Sequence, residues 1–279
     1  MSDRRGAAVL GSPIEHSLSP ALHQAAYESL GLRGWTYRAI RCEPAELAER
    51  LSELDGAGLA GVSLTMPLKR AVLPLLTHAD PVVVESGVAN TVIFGPDGCV
   101  GANTDIGGIA AALATAAVTD LSGQAPLLIG AGATAASALA AVAGLGARRV
   151  TVAARRVTAI GSLSSLAEAH GVAIAATHLQ GLSPSAFTSS LVVSTVPKGA
   201  ADWLVSILPP SLSGTLLDVV YDGWPSPLAD AWSRAGGVVV GGLELLVQQA
   251  ALQVDLMTGQ LPDISILRKA GGNALLPVD

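Results

Sequence analysis

PLLIGAGATAASALAAVAGLGARRVTVAARR, residues 126–156, decides the fold. Pro126 to Ile129 is a short apolar run of strand type. Gly130-Ala131-Gly132-Ala133-Thr134-Ala135 then has the form G-x-G-x-x-A, and an Ala-rich helical pattern follows. Gly130 permits a tight turn, Gly132 lets a pyrophosphate approach the backbone, and Ala135 lets the helix lie close to a sheet. The free N–H groups at the helix start attract phosphate, and Thr134 adds a hydroxyl donor. VTVAARR (150–156) reads as the next strand. Its end carries Arg155 and Arg156 rather than the acidic residue that would hold the ribose diol of NAD. A guanidinium fork suits a 2′-phosphate, so the pattern points to NADP(H).

Outward from this block, strand and helix signals alternate. AAVLG (7–11), WTYRAI (35–40) and GVSLT (61–65) read as strands, and NTVIFGPDGCVGANTD (90–105) as a hairpin. Residues 190–197, 214–221 and 236–242 read as further buried strands. Helical spacing runs over 20–30, 44–54, 109–117 and 243–257, and a turn and a short tail close the chain. Alternation of this kind predicts an α/β chain with largely parallel sheets.

The composition agrees. The chain has 279 residues, 50% hydrophobic and 14% charged, with aromatics at 3%, so the core is built from Ala, Val and Leu. A net charge of -6 without a basic run argues against nucleic acid or a membrane surface as partner. Leu127 to Ala147 is free of charge, but it is Ala/Gly/Ser/Thr-rich and reads as a buried strand-turn-helix, not a membrane span. The start, MSDRRGAAVLG, lacks the apolar length of a secretory leader. Cys42 and Cys99 have no metal or disulfide spacing, which fits a cytoplasmic setting and no metal.

Three more stretches carry polar chemistry. GSPIEHSLSPALHQAAY (11–27) sets Ser17 and Ser19 around Leu18, before Pro20. Ser19 reads as a helix cap, which leaves Ser17 unexplained; two hydroxyls on one side of a turn can also donate to a small carboxylate. His16 and His23 read as structural. GVSLTMPLK (61–69) ends in Lys69, although lysine occurs only at 69, 198 and 269. Asn90-Thr91 and Asn103-Thr104-Asp105 flank the hairpin. Lys69 and Asp105 are an ammonium and a carboxylate able to move a proton at a carbonyl or alcohol, but spacing alone does not bring them together. In GGLELLVQQAALQVDLMTG (241–259), Gln249 lies near an apolar face, where a lone Gln is usually solvated.

Taken together, GSPIEHSLSPALH, SLTMPLK, VANT, GANTDIGG, GAGAT, AARR, DVVY and GLELLVQQA, in that order, resemble the shikimate dehydrogenase family over nearly the whole chain. The resemblance implies NADPH-dependent, reversible reduction of 3-dehydroshikimate to shikimate, in the route to aromatic amino acids. It implies two α/β domains with the active site in the cleft between them. A substrate domain would span 1–105 and 243–279, and a Rossmann-type, doubly wound NADP-binding domain 106–242. Ser17 and Ser19 would hold the substrate carboxylate. Thr65, Asn90, Asp105 and Gln249 would hold ring hydroxyls, with Tyr221. Lys69 would be the proton donor and acceptor, oriented by Asp105. Gly130, Ala131, Gly132, Ala133, Thr134, Arg155, Arg156, Val219 and Gly242 would bind cofactor. The active species would be a monomer or homodimer.

The chain departs from the family pattern at Ala133 (for Gly), at Ala154 and Arg156 (for the Asn and Thr of an Asn-Arg-Thr turn), and at Glu244 (often Gly). Three alternatives share the motifs: an NAD-dependent quinate/shikimate dehydrogenase, a dehydrogenase of an aminated shikimate analogue, and a non-catalytic metabolite-binding homologue.

Overall fold

The structure, a computed structural model, describes residues 5–276; the outermost residues of the first and last segments of the expected substrate domain lie outside it. It divides into two compact units, Met1–Gly108 with Leu246–Asp279, and Ile109–Leu245.

The elements of the first unit follow from strand–turn–helix logic. They are β1 (Ala7–Gly11), α1 (Ser19–Ser29), β2 (Tyr37–Arg41), α2 (Leu47–Gly56), β3 (Gly61–Leu64), α3 (Leu68–Ala71), β4 (His78–Ala79), α4 (Pro81–Ser86), β5 (Thr91–Gly95) and β6 (Gly98–Ala102). The strands form one sheet in the order β2-β1-β3-β5-β6-β4. β1 is parallel to β2 and β3, whereas β5 runs antiparallel to β3 and to β6. That reversal places the C-terminal ends of β1, β3 and β6 and the N-terminal end of β5 at one edge. The polar loops read from the sequence all start or end there. Leu10, Val62, Leu64, Leu68 and Val92 form the aliphatic core beneath.

α5 (Thr104–Ala114) carries the chain into the second unit. There follow β7 (Leu127–Ile129), α6 (Ala133–Gly144), β8 (Arg149–Ala154), α7 (Ser164–Ala169), β9 (Ala173–His178), β10 (Leu191–Ser194), β11 (Thr215–Asp218), α8 (Pro227–Arg234) and β12 (Val238–Gly241). Every neighbouring pair in this sheet is parallel, and the order is β12-β11-β10-β7-β8-β9. Counting from β7, that is 3-2-1-4-5-6, the order of doubly wound dinucleotide-binding sheets, with the switch point between β7 and β10. α9 (Gly242–Thr258) returns the chain to the first unit, and α10 (Ile264–Ala274) packs on α1.

Two expectations need correction. The closing tail is a helix, α10, whose first turn is capped by Asp263 accepting from the Ser265 N–H at 2.8 Å. Ser19 is not a cap: α1 begins at Ser19 itself, and its N–H donates to Ser17 Oγ at 3.3 Å. The N-cap position is held by Leu18, which has no side-chain oxygen to offer. No described helix is long and apolar enough to cross a membrane.

His23 illustrates the interior of unit 1. It is fully buried on α1, stacked on Tyr37 with ring centroids 3.9 Å apart, and bonded through Nε2 to Gln253 Oε1 at 3.2 Å. Burial pushes its pKa down to about 3, so it is neutral in the folded protein. The unfolded chain binds the proton near pH 6.5 and the folded chain does not until about 3. Stability is therefore complete above pH 6.5 and falls as the pH drops toward 3, by up to about 1.4 kcal/mol per pH unit. Urea unfolding between pH 7 and 4.5 is expected to show a steeper acid loss for the native chain than for His23→Gln. Parallel curves would refute this account.

Candidate functional site

The polar edge of unit 1 is built on backbone bonds. The Thr65 N–H donates to Leu10 C=O at 2.9 Å, and the Leu68 N–H to Thr65 C=O at 2.8 Å. This fixes the turn between β3 and α3 beside the end of β1. The Ser12 N–H donates to Met66 C=O at 2.9 Å and ties the Ser17 loop to the same turn. Asn90 is held from both sides, accepting from Leu64 N–H at 2.7 Å and donating to Ala102 C=O at 3.1 Å.

On this frame the structure joins residues far apart in sequence. Lys69 Nζ donates to Asp105 Oδ2 at 2.5 Å; the two side chains are 15% and 8% exposed. Asp105 Oδ1 accepts from Asn90 Nδ2 at 2.8 Å. Asn90 Oδ1 accepts from the Thr104 N–H at 2.8 Å and from Thr91 Oγ1 at 2.9 Å. Gln249 is buried, its Oε1 3.4 Å from Asn90 Nδ2 and its Nε2 donating to Leu246 C=O at 2.9 Å. It is therefore part of a network rather than a solvated surface amide. Gly108 makes this possible. A Cβ there would lie 2.8 Å from Gln249 Cβ and 3.0 Å from its N, so only glycine lets α5 and α9 approach this closely.

Ser19 is buried and Ser17 and Thr65 are half-buried along the same loops. A half-buried lysine at the rim, a carboxylate locked behind it and hydroxyl and amide groups around them can bind a small polyhydroxylated acid and shuttle one proton. Sequence reading singled out Thr91 and Thr104 without giving them a role, and it missed Ser63, Gly108 and Gln253. The available signal was Gln249 and Gln253, one helical turn apart on an apolar helix.

The second unit supplies a separate set. Gly130 has φ +118, and a Cβ there would lie 2.3 Å from Thr195 Oγ1, so the loop after β7 is pressed against the segment after β10 at the switch point. Gly132 is the N-cap of the 12-residue α6 and makes no side-chain cap bond, which leaves the first-turn N–H groups available. A Cβ at Gly132 would meet nothing within 4 Å. Ala131, Ala133 and Thr134 are half-exposed around it, and Arg155 and Arg156 are exposed just past β8. These residues fit a dinucleotide with a 2′-phosphate. Val219 follows β11, Gly242 N–H donates to Val220 C=O at 3.2 Å, and Tyr221 is half-buried. Burial, with the nearby Asp222 charge, raises the Tyr221 pKa, so it presents a protonated hydroxyl. Buried Asp218 is held by Ser226 Oγ at 2.6 Å, and its pKa is raised by burial. Among the described residues no cluster of three or more His, Cys, Asp or Glu could hold a metal ion.

Comparison with known proteins identifies the family and the fold. Residues 9–92 match the family model of the shikimate dehydrogenase substrate binding domain, and residues 242–270 that of the shikimate 5'-dehydrogenase C-terminal domain. A shikimate dehydrogenase (NADP(+)) from Citrifermentans bemidjiense is 35% identical over 274 residues, covering 95% of this chain and 93% of that protein. The crystal structure of Mycobacterium tuberculosis shikimate dehydrogenase superposes with a TM-score of 0.86 at 38% identity, covering 96% of this chain and 99% of the other. That of the Thermus thermophilus shikimate 5-dehydrogenase, in complex with NADP(H) and shikimate, gives 0.84 at 33% identity, covering 97% and 100%. With end-to-end coverage at this identity, and with a 3-2-1-4-5-6 parallel sheet in one unit, the chain belongs to the shikimate dehydrogenase family.

Proposed function

We propose that this chain reduces 3-dehydroshikimate to shikimate, and oxidises shikimate in reverse, with NADP(H) as cofactor. The observation that carries the reading is the Lys69–Asp105 pair at 2.5 Å, a half-buried ammonium on a buried carboxylate, with Asn90 and Gln249 beside it. Unit 1 is the substrate-binding unit, and unit 2 holds the cofactor on Gly130–Thr134, Arg155, Arg156, Val219 and Gly242. When bound, the nicotinamide supplies or takes up the hydride. Ser17 and Ser19 donate to the substrate carboxylate. Thr65, Asn90, Asp105 and Gln249 hold the ring hydroxyls. Lys69 donates a proton to the oxygen that becomes the alcohol and stabilises its developing charge; in the other direction it removes that proton. Asp105 keeps the ammonium aimed. The two free cysteines, Cys42 and Cys99, fit a reducing cytoplasm.

Steady-state oxidation of shikimate and of quinate, each with NADP and with NAD, tests the reading. Strong preference for shikimate with NADP is expected. Activity confined to quinate with NAD would overturn the cofactor and substrate assignment. Arg155→Asp in the same assay is expected to raise KM for NADP about thirtyfold and to change KM for NAD less than threefold, because only NADP presents the 2′-phosphate. Equal losses for both would place that phosphate elsewhere.

A further inference from the structure

The reading of unit 1 as a substrate site leaves Gln253 without a role, yet it is among the most fully bonded side chains there. It is 1% exposed. Its Nε2 donates to Thr91 Oγ1 at 3.0 Å and faces Asn90 C=O at 3.4 Å. Its Oε1 accepts from Ser63 Oγ at 2.8 Å and from His23 Nε2 at 3.2 Å. The backbone carbonyl of Asn90 can only accept, so the amide has one possible orientation.

The directions of the bonds on either side of this amide then follow. On one side the Tyr37 phenol donates to Ser63 Oγ at 2.7 Å, and Ser63 donates to Gln253. On the other side Gln253 donates to Thr91, Thr91 to Asn90 Oδ1 at 2.9 Å, and Asn90 Nδ2 to Asp105 Oδ1 at 2.8 Å. Asp105 holds Lys69. A single amide therefore joins the Tyr37–Ser63 pair to the Lys69–Asp105 pair, and each link fixes the direction of the next.

Resting on that reading of the site, we infer that Gln253 is a positioning residue for the reaction: through Thr91 and Asn90 it sets the orientation of Asp105, and hence of Lys69. Leucine at this position keeps much of the volume and the helix preference but neither donates nor accepts. Without the Gln253 N–H, the Thr91 hydroxyl loses the partner that directs its own proton to Asn90, and Asn90 Oδ1 is left with Thr104 alone, so the carboxamide shifts against Asp105.

Gln253→Leu is expected to lower kcat for shikimate oxidation about tenfold and to leave KM for NADP within a factor of two. Thr91→Val severs the same arm at its next link. If both act through one chain, the double variant is no slower than the slower single. The three lysines at 69, 198 and 269 allow a direct readout in the ligand-free protein. In 13Cε-lysine NMR spectra, assigned with Lys69→Arg, the Lys69 signal is expected to move in both variants while those of Lys198 and Lys269 stay in place. A folded Gln253→Leu protein with native kcat and an unmoved Lys69 signal would overturn the inference, and so would losses that multiply in the double variant. Should Gln253→Leu fail to fold, Thr91→Val decides alone by the same two readouts. An inactive native chain would sink the enzymatic reading, whereas the NMR comparison would still decide the role of Gln253.

Discussion

Lys69→Ala is expected to cut turnover about a thousandfold and to leave NADP affinity unchanged. Proton transfer by a positioned side chain contributes roughly 10²–10⁴ in rate, and the oxygen that becomes an alcohol must receive its proton as the hydride arrives. Lys69 is positioned rather than free. It sits on α3, after a turn held by Thr65, and its ammonium bonds Asp105 at 2.5 Å with 15% of the side chain exposed. Alanine removes both the proton and the positive charge that would stabilise an alkoxide. The loss therefore falls on kcat more than on KM for shikimate, which keeps its carboxylate and hydroxyl contacts. The residues proposed to bind the cofactor lie in the other unit, so a fluorescence titration with NADP should give the native constant. Lys69→Arg separates charge from proton: a guanidinium keeps the cation but does not release a proton in this pH range, so it is not expected to restore turnover. Turnover of the alanine variant within tenfold of native would remove Lys69 from the proton-transfer role.

How far the sequence reaches is clearest in the same residues. The parallel sheet of unit 2 was legible because its strands are continuous apolar runs, and because G-x-G-x-x-A marks where a strand meets a helix. β9 was not: it is an edge strand with mostly exposed residues, AIAATH, whose apolar run is mainly alanine, a residue depleted in strands. α10 and α8 were missed although each has a cap, Asp263 and Ser226, because a cap marks a start only once the apolar stripe behind it is recognised. Within the site, the types Lys, Asp, Asn and Gln were legible as candidates, but their meeting was not. Lys69 and Asp105 are joined by antiparallel pairing of β5 with β3 and with β6, in a register that sets Thr91 opposite both Ser63 and Ala102. A shift of one residue would turn these side chains to the other face. Gln249 read as solvated because nothing in its own helix shows that Gly108 of another helix presses against it.

That register also underlies the second large effect. Asp105→Asn is expected to lower kcat about a hundredfold, although it changes one atom. The two carboxylate oxygens have separate tasks, Oδ1 accepting from Asn90 at 2.8 Å and Oδ2 from Lys69 at 2.5 Å. Both neighbours are donors in these bonds. A carboxamide has one acceptor oxygen, so in either orientation its NH2 faces a donor, the ammonium or the Asn90 amide. The site is buried enough that this clash is not relieved by water, and the favourable placement of an anion in the first turn of α5 is lost as well. The outcome is a Lys69 that keeps its proton but not its aim. The penalty is therefore smaller than that of deleting the lysine, and it falls mainly on kcat. Because both residues serve one step, Lys69→Ala/Asp105→Asn should be no slower than Lys69→Ala alone. Losses that multiply would mean that Asp105 serves the chemical step independently of Lys69, beyond its hold on a ring hydroxyl, and a single-variant loss below fivefold would mean that the ammonium is aimed by other contacts.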